Sequence, residues 1–265
     1  LAKITDVTEK KQKEEKINKL LSETLVYNQK LEVNNEELNK LNTELDGFVY
    51  RVSHDLRAPI ASTMGLVGLA KSENDINRVR EYLDLQSQSL KKLDAFIQDI
   101  LDYSRNNRQE LQLESINLFE LINEQIAQYQ FDIQKNQIEI TNSIDPQLII
   151  NSDARRLSVI FSNLISNAIR YSNNYIDDSY VKIVAEKIQD YLLISVADNG
   201  IGIPDEYKEE IFKMFFRVSD SGKNGSGLGL YIVKETTAKL KGTVEVISIA
   251  GKGSTFLIRL PNNPV

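Results

Sequence analysis

A seven-residue repeat runs through the start of the chain, from Ile17 through Leu20, Thr24, Tyr27, Leu31, Asn34, Leu38, Leu41, Leu45, Phe48 and Val52. Residues recurring at alternating three- and four-residue steps line one narrow stripe of an α-helix, the seam of a coiled coil. The positions between are mostly Glu, Lys, Asn and Gln, and neither Pro nor Gly occurs from residue 1 to residue 46, so a single long helix can form. Such a stripe is best buried against a copy of itself, and polar Asn34 in the seam sets register at some cost in stability. A parallel homodimer is the leading expectation. The alternative is a helix packed on its own protein's core.

The helical pattern continues beyond this seam. Pro59 removes one backbone donor and is expected to kink the helix just after His54, with Gly65 and Gly68 loosening it further. Lys71 to Asp75 supply turn and capping residues, and a second apolar series follows at Ile76, Val79, Leu83, Leu90, Leu93, Ile97 and Ile100. Two such helical hairpins side by side make a four-helix bundle, which buries both stripes. Near Ser104-Arg105-Asn106-Asn107-Arg108 the pattern breaks, and strand-like runs appear at 137–143, 148–151, 180–188, 191–197, 243–249 and 254–260. Helices are expected over 154–171 and 228–240. Helices on one face of a mixed sheet give an α+β sandwich. The predicted fold is therefore multidomain, α and α+β: a long parallel coiled coil entering a dimeric four-helix bundle, then an α/β sandwich. Its segments are 1–9, 10–46, 47–106 and 107–265. Ile4 to Thr8 reads as the tail of a strand entering a charged helix, and a chain starting at Leu1 suggests a fragment of a longer protein.

Composition narrows the chemistry. With 38 acidic against 32 basic residues and a net charge of -6, nucleic acid is a poor partner. The absence of Cys excludes disulfides and thiolate zinc sites, and a single His excludes most imidazole metal clusters. No apolar run approaches the roughly 20 residues that cross a bilayer, so this fragment is expected to make no membrane contact. A cytoplasmic setting fits, with any membrane anchor of the full-length protein lying elsewhere.

Six short blocks carry the candidate chemistry. The first is Ser53-His54-Asp55-Leu56-Arg57-Ala58-Pro59. Val52 belongs to the seam, so His54 faces solvent or a docking partner. An exposed neutral imidazole is a usable nucleophile, and Asp55 can hold one ring nitrogen while the other attacks; an ordinary surface histidine is the plain alternative. In Asn163-Leu164-Ile165-Ser166-Asn167-Ala168-Ile169-Arg170-Tyr171, Asn163 and Asn167 project from one helix face. They suit a hydrated Mg²⁺ and its phosphates, or a structural bridge. Asp198-Asn199-Gly200-Ile201-Gly202-Ile203-Pro204 follows an apolar strand, placing a carboxylate beside glycines that let a ligand approach, or simply making a good turn. The aromatic cluster 211–217 ends in Arg217, a cation able to reach phosphate charge. Gly225-Ser226-Gly227-Leu228-Gly229-Leu230 exposes backbone N–H groups at a helix start, without P-loop or Rossmann spacing. Gly251-Lys252-Gly253-Ser254-Thr255-Phe256 joins two strands as a hairpin turn or a ligand contact.

In order and spacing these blocks resemble the characteristic boxes of sensor histidine kinases of two-component systems, over residues from about 48 to 260. The resemblance implies a dimerisation and phosphoacceptor hairpin followed by an ATP-binding domain of the Bergerat type. It assigns His54 as phosphoacceptor, Asp55 as its adjacent acid and Arg217 as a lid cation. Asn167 is similar to the Mg²⁺-coordinating asparagine, with Asn163, Arg170 and Tyr171 lining the nucleotide and Asp198 reading adenine beside Gly200 and Gly202. Gly225, Gly227, Leu228 and Gly229 match the glycine-rich lid hinge over the phosphates. Residues 4–11 look like the exit of a PAS sensor, feeding a signalling helix over 10–50. The implied activity is ATP-dependent autophosphorylation of His54 and transfer to an aspartate of a response regulator receiver domain. Two departures refine it: position 163, where gyrase-like ATPases carry a water-activating Glu, is Asn, and position 58, usually Thr or Asn in phosphatase-competent members, is Ala. Both favour transfer to His54 over hydrolysis or regulator dephosphorylation. The rival readings are a scaffold that binds ATP only as a conformational ligand and a free gyrase-like ATPase.

Overall fold

A computed structural model describes residues 2–108, 110–173, 178–218 and 225–262. The chain divides into two compact units, residues 1–61 and 62–265.

The first unit is helix. α1 (Ala2–Ser72) runs unbroken through Pro59, and the unit ends at Ala61, just beyond that residue. Ile4 to Thr8, expected as the end of a strand, are helical. A strand with no neighbour leaves its backbone groups unpaired, whereas a helix pairs them within itself. The seam residues Leu20, Tyr27, Leu31, Leu38 and Leu45 are all more than half exposed in the single chain.

In the second unit the end of α1 turns into α2 (Ile76–Arg108) through Glu73 to Asp75. Glu73 Oε1 accepts the N–H groups of Asn74 and Asp75 at 2.9 and 3.0 Å, which holds its carboxyl below the usual range, and Asp75 Oδ1 accepts from Asn77 N at 2.8 Å. The break expected at Ser104 is not the end of the helix: α2 continues to Arg108. Loss of apolar spacing there marks where the helix stops needing a seam.

The remaining chain forms a layered α/β domain. β1 (Glu114–Asn117) pairs antiparallel with β3 (Ile149–Ser152). The main sheet has the order β2-β4-β5-β7-β6, built from β2 (Glu139–Asn142), β4 (Tyr180–Ile188), β5 (Tyr191–Asp198), β6 (Thr243–Ile249) and β7 (Gly253–Pro261). Only β2 and β4 run parallel; the other neighbours are antiparallel. Strict alternation buries Leu192, Ile194 and Val196 of β5 and Phe256, Ile258 and Leu260 of β7 on one face. Helices α3 (Leu118–Gln128), α5 (Ala154–Arg170) and α6 (Gly229–Lys239) supply the other half of this core. α5 places Leu157, Ile160, Phe161, Leu164 and Ile165 at helical spacing against the strands, all 1% exposed or less. α3 and the short α4 (Gln130–Lys135) had no counterpart in the sequence reading.

α5 also fastens the domain to the end of α2. Its N-cap Asp153 accepts Arg156 N at 3.0 Å through Oδ1, while Oδ2 takes Gln112 N at 3.1 Å and Arg156 Nη1 at 2.6 Å. Arg156 in turn donates from Nε to Asn106 Oδ1 at 3.2 Å. Arginine and aspartate are each 6% exposed at the side chain.

Candidate active site

The two halves of the expected chemistry lie in different units. In the first, α1 carries His54 on its outer surface, with the side chain 72% exposed. Its Nδ1 lies 3.0 Å from Asp55 Oδ1, a side chain 43% exposed. An imidazole whose Nδ1–H is held by a carboxylate keeps its lone pair on Nε2, which is the nitrogen left to solvent.

The second unit holds an open cleft of about 280 Å³, close to the lower end of small-molecule pockets, which run to roughly 300–1,000 Å³. Its deep end is apolar, walled by Ala168, Ile201, Ile203 and Phe256, with Asp198 the carboxylate among them. Burial pushes the Asp198 carboxyl above its ordinary range, opposed by hydrogen bonds from the N–H groups of Gly200 and Ser254. The Gly200 bond is 2.8 Å, made to Oδ1.

Backbone crowding accounts for the glycines around this end. A Cβ on Gly200 would stand 2.4 Å from Tyr171 O, the same oxygen that accepts Ile201 N at 3.0 Å. Gly202 has φ +66° and a Cβ there would stand 2.1 Å from Ile249 O. The turn between β6 and β7 is thus seated directly on the loop after Asp198, and Gly251 N donates to Ile201 O at 2.7 Å. The glycine block 251–253 is a hairpin turn, as one of its two readings had it, and also the floor of the cleft's inner loop.

Toward the mouth the lining turns polar. Asn163, Asn167, Arg170, Arg217, Gly225 and Gly229 converge on one recess of the same cleft. Asn163 Nδ2 donates to Val159 O at 2.8 Å, so its amide is partly engaged in its own helix, and Oδ1 faces Gly229, where a Cβ would stand 2.7 Å away. A Cβ on Gly225 would meet Arg170 Nη1 at 2.8 Å. The aromatic block and the glycine-rich segment interlock: Phe215 adopts φ +62° and donates its N–H to Gly227 O at 3.0 Å. Leu228 is fully buried at the N-terminus of α6.

Every site residue singled out from the sequence downstream of Asn163 therefore borders this one cleft or shapes its loops. Sequence reading missed Asp99 of α2, whose Oδ2 accepts the Ser226 hydroxyl at 2.5 Å in the polar recess. Nothing local could reveal a partner 127 residues away. It also missed Ala168, Ile203 and Phe216, apolar residues that serve as core and cleft wall at once.

Residues 44–109 match the His Kinase A (phospho-acceptor) domain, and residues 152–264 match the histidine kinase-, DNA gyrase B- and HSP90-like ATPase family. The chain belongs to the histidine kinases. As a histidine kinase chain it is 30% identical to the sensor histidine kinase AtsR of Burkholderia thailandensis over 82% of its own length and 37% of that protein's. It is 29% identical to the sensor histidine kinase YclK of Bacillus subtilis, over 93% of its length and 53% of the relative's. The chain thus spans about half or less of each. Among solved structures it resembles the histidine kinase ThkA in complex with the response regulator protein TrrA, at 27% identity and a TM-score of 0.65, covering 82% of this chain and 61% of that one. No helix among the described residues is long and apolar enough to cross a membrane.

Proposed function

We propose that this histidine kinase chain transfers the γ-phosphoryl group of ATP to Nε2 of His54 and passes it on to an aspartate of a response regulator receiver domain. The observation that carries the reading is the His54–Asp55 pair. The only histidine of the chain stands exposed within the phospho-acceptor match, with Nδ1 held at 3.0 Å by a carboxylate and Nε2 left to solvent.

Each residue of the cleft then takes a defined part. Asp198 accepts the adenine amino group at the apolar end, where low water content strengthens one charged hydrogen bond. Gly200 and Gly202 give the purine backbone-close access. The N–H groups from Gly225 to Gly229 and the positive end of α6 face the phosphates, with Arg170 and Arg217 contributing cationic charge. Asn163 and Tyr171 line the space between base and phosphates.

The donor set fits a phosphate-borne Mg²⁺. No group of three His, Cys, Asp or Glu that could hold a metal occurs among the described residues, and Mg²⁺ typically needs only one or two protein ligands when phosphates and water complete its shell. Asn167 would hold it; the ion supplies charge neutralisation during phosphoryl transfer. Asp55 orients the imidazole and receives the proton that His54 releases as the N–P bond forms and the bond to ADP breaks. The hydrolytic alternative is disfavoured at position 163, which carries an amide bonded to Val159 O in place of a base. The exposed seam of α1 suits a parallel homodimer, which buries it.

The test is incubation with γ-labelled ATP and Mg²⁺. Acid-labile, base-stable label is expected on the wild type and absent from His54→Gln and Asn167→Ala. Label retained without His54 refutes the assignment.

A further inference from the structure

Among the described residues Asp99 is the one carboxylate bordering the polar recess, and it comes from α2 rather than from the ATPase fold. Its Oδ2 accepts the Ser226 hydroxyl at 2.5 Å, and Ser226 Oγ accepts Leu228 N at 3.1 Å, at the first turn of α6. Asp99 is thus linked through one hydroxyl to the N-terminus of an 11-residue helix. Arg170 acts on the same carboxylate as a nearby positive charge. Helix N-terminus and arginine are the two positive features that the phosphates would use under the proposed function. One turn further along α2, Tyr103 packs on Tyr231 of α6 with ring centroids 5.8 Å apart, and Asn106 is bound by Arg156. Three points on one face of α2 therefore hold Asp99 at the recess. Burial keeps its carboxyl above the ordinary range, against the lowering effects of Ser226 and Arg170.

We propose that Asp99 is a built-in competitor for the nucleotide's phosphates, a carboxylate that neutralises Arg170 and the α6 N-terminus until a triphosphate displaces it from Ser226. Nucleotide entry then loosens α2 from α6, and docking of α2 weakens affinity for phosphates while leaving affinity for the base unchanged. This rests on the reading that the cleft takes ATP.

The test compares ATP, ADP and adenosine binding by calorimetry, with and without Mg²⁺, for wild type, Asp99→Asn and Asp99→Glu. Asparagine keeps the shape and can still accept from Ser226, so folding is preserved; a melting curve checks it. Removing one like charge beside a phosphate in a site partly shielded from water should tighten ATP about tenfold. ADP should tighten less and adenosine not at all, while Asp99→Glu stays near wild type. Equal changes for ATP and adenosine overturn the proposal, because a structural role would move both. Weaker MgATP binding by Asp99→Asn overturns it in another way, marking Asp99 as a cation ligand. If wild type binds none of the three, the nucleotide reading itself falls. Binding of all three with no difference between Asp99→Asn and wild type refutes the competition alone.

Discussion

Replacing Arg156 by alanine removes a cation from a place where water cannot take over. Its guanidinium and the Asp153 carboxylate are each 6% exposed, joined at 2.6 Å, and the same arginine holds Asn106 of α2 at 3.2 Å. Asp153 would keep only the N–H bonds from Arg156 and Gln112 to offset its burial. Breaking a buried pair from one side typically costs about 3–5 kcal/mol, whereas an exposed pair costs about 0–1 kcal/mol. For a unit of this size each kcal/mol lowers the melting temperature by roughly 2–4 °C, so the variant should melt about 6–20 °C below wild type. Denaturant titration followed by far-UV circular dichroism gives the free energy directly. The double variant Arg156→Met, Asp153→Asn leaves no orphan charge and keeps a capping side chain, so it should recover much of the loss. A loss under about 1 kcal/mol for Arg156→Ala, or a double variant no better than the single, refutes the buried-pair argument.

Further outcomes follow from the cleft. Asp198→Asn should weaken ATP about 10- to 100-fold by removing a charged acceptor, yet raise the melting temperature of the nucleotide-free protein at neutral pH. The sign is set by burial: a carboxyl whose pKa is raised by folding destabilises the fold while ionised, and that cost vanishes as pH falls through the folded value. A fall in melting temperature at pH 7 would contradict it. Gly251→Ala, at φ +79° with nothing within 4 Å, should cost only the backbone strain of about 1–2 kcal/mol. Gly202→Ala carries the same strain plus a collision with Ile249 O, so its denaturation midpoint should fall distinctly further. Wild type should dephosphorylate a purified phospho-regulator slowly and Ala58→Thr faster; equal rates would remove Ala58 from the account.

Legibility from sequence followed how local each determinant is. β4 was read to the residue, and β5 and β7 to within a residue at each end, because apolar alternation sustained over eight or nine residues fits a half-buried strand and no helix. α5 announced itself through a continuous apolar face; its Asp153 cap emerged only in the structure. β1, Glu-Ser-Ile-Asn, holds a single apolar residue and shows no period, and α3 starts from an Asn117 cap that reads equally as a loop residue. Ile4 to Thr8 have β-branched residues but pair with no strand among the described residues, and the helix of the following run extends through them. The His54–Asp55 pair could be read because its members are adjacent. Asp99 could not, since its role arises only when α2 lies against α6.

The seat of the β6–β7 turn on the loop after Asp198 sets the outline of a socket. That end of the cleft is fixed by main chain against main chain, with no space for even a methyl group at Gly202. The other end is lined by the polar side chains Asn163, Asn167, Arg170 and Arg217 and by the glycine-rich segment 225–229. Under the proposed function the socket takes the base of the nucleotide. Compounds that exploit the socket must match a fixed backbone outline that side-chain substitutions cannot easily reshape.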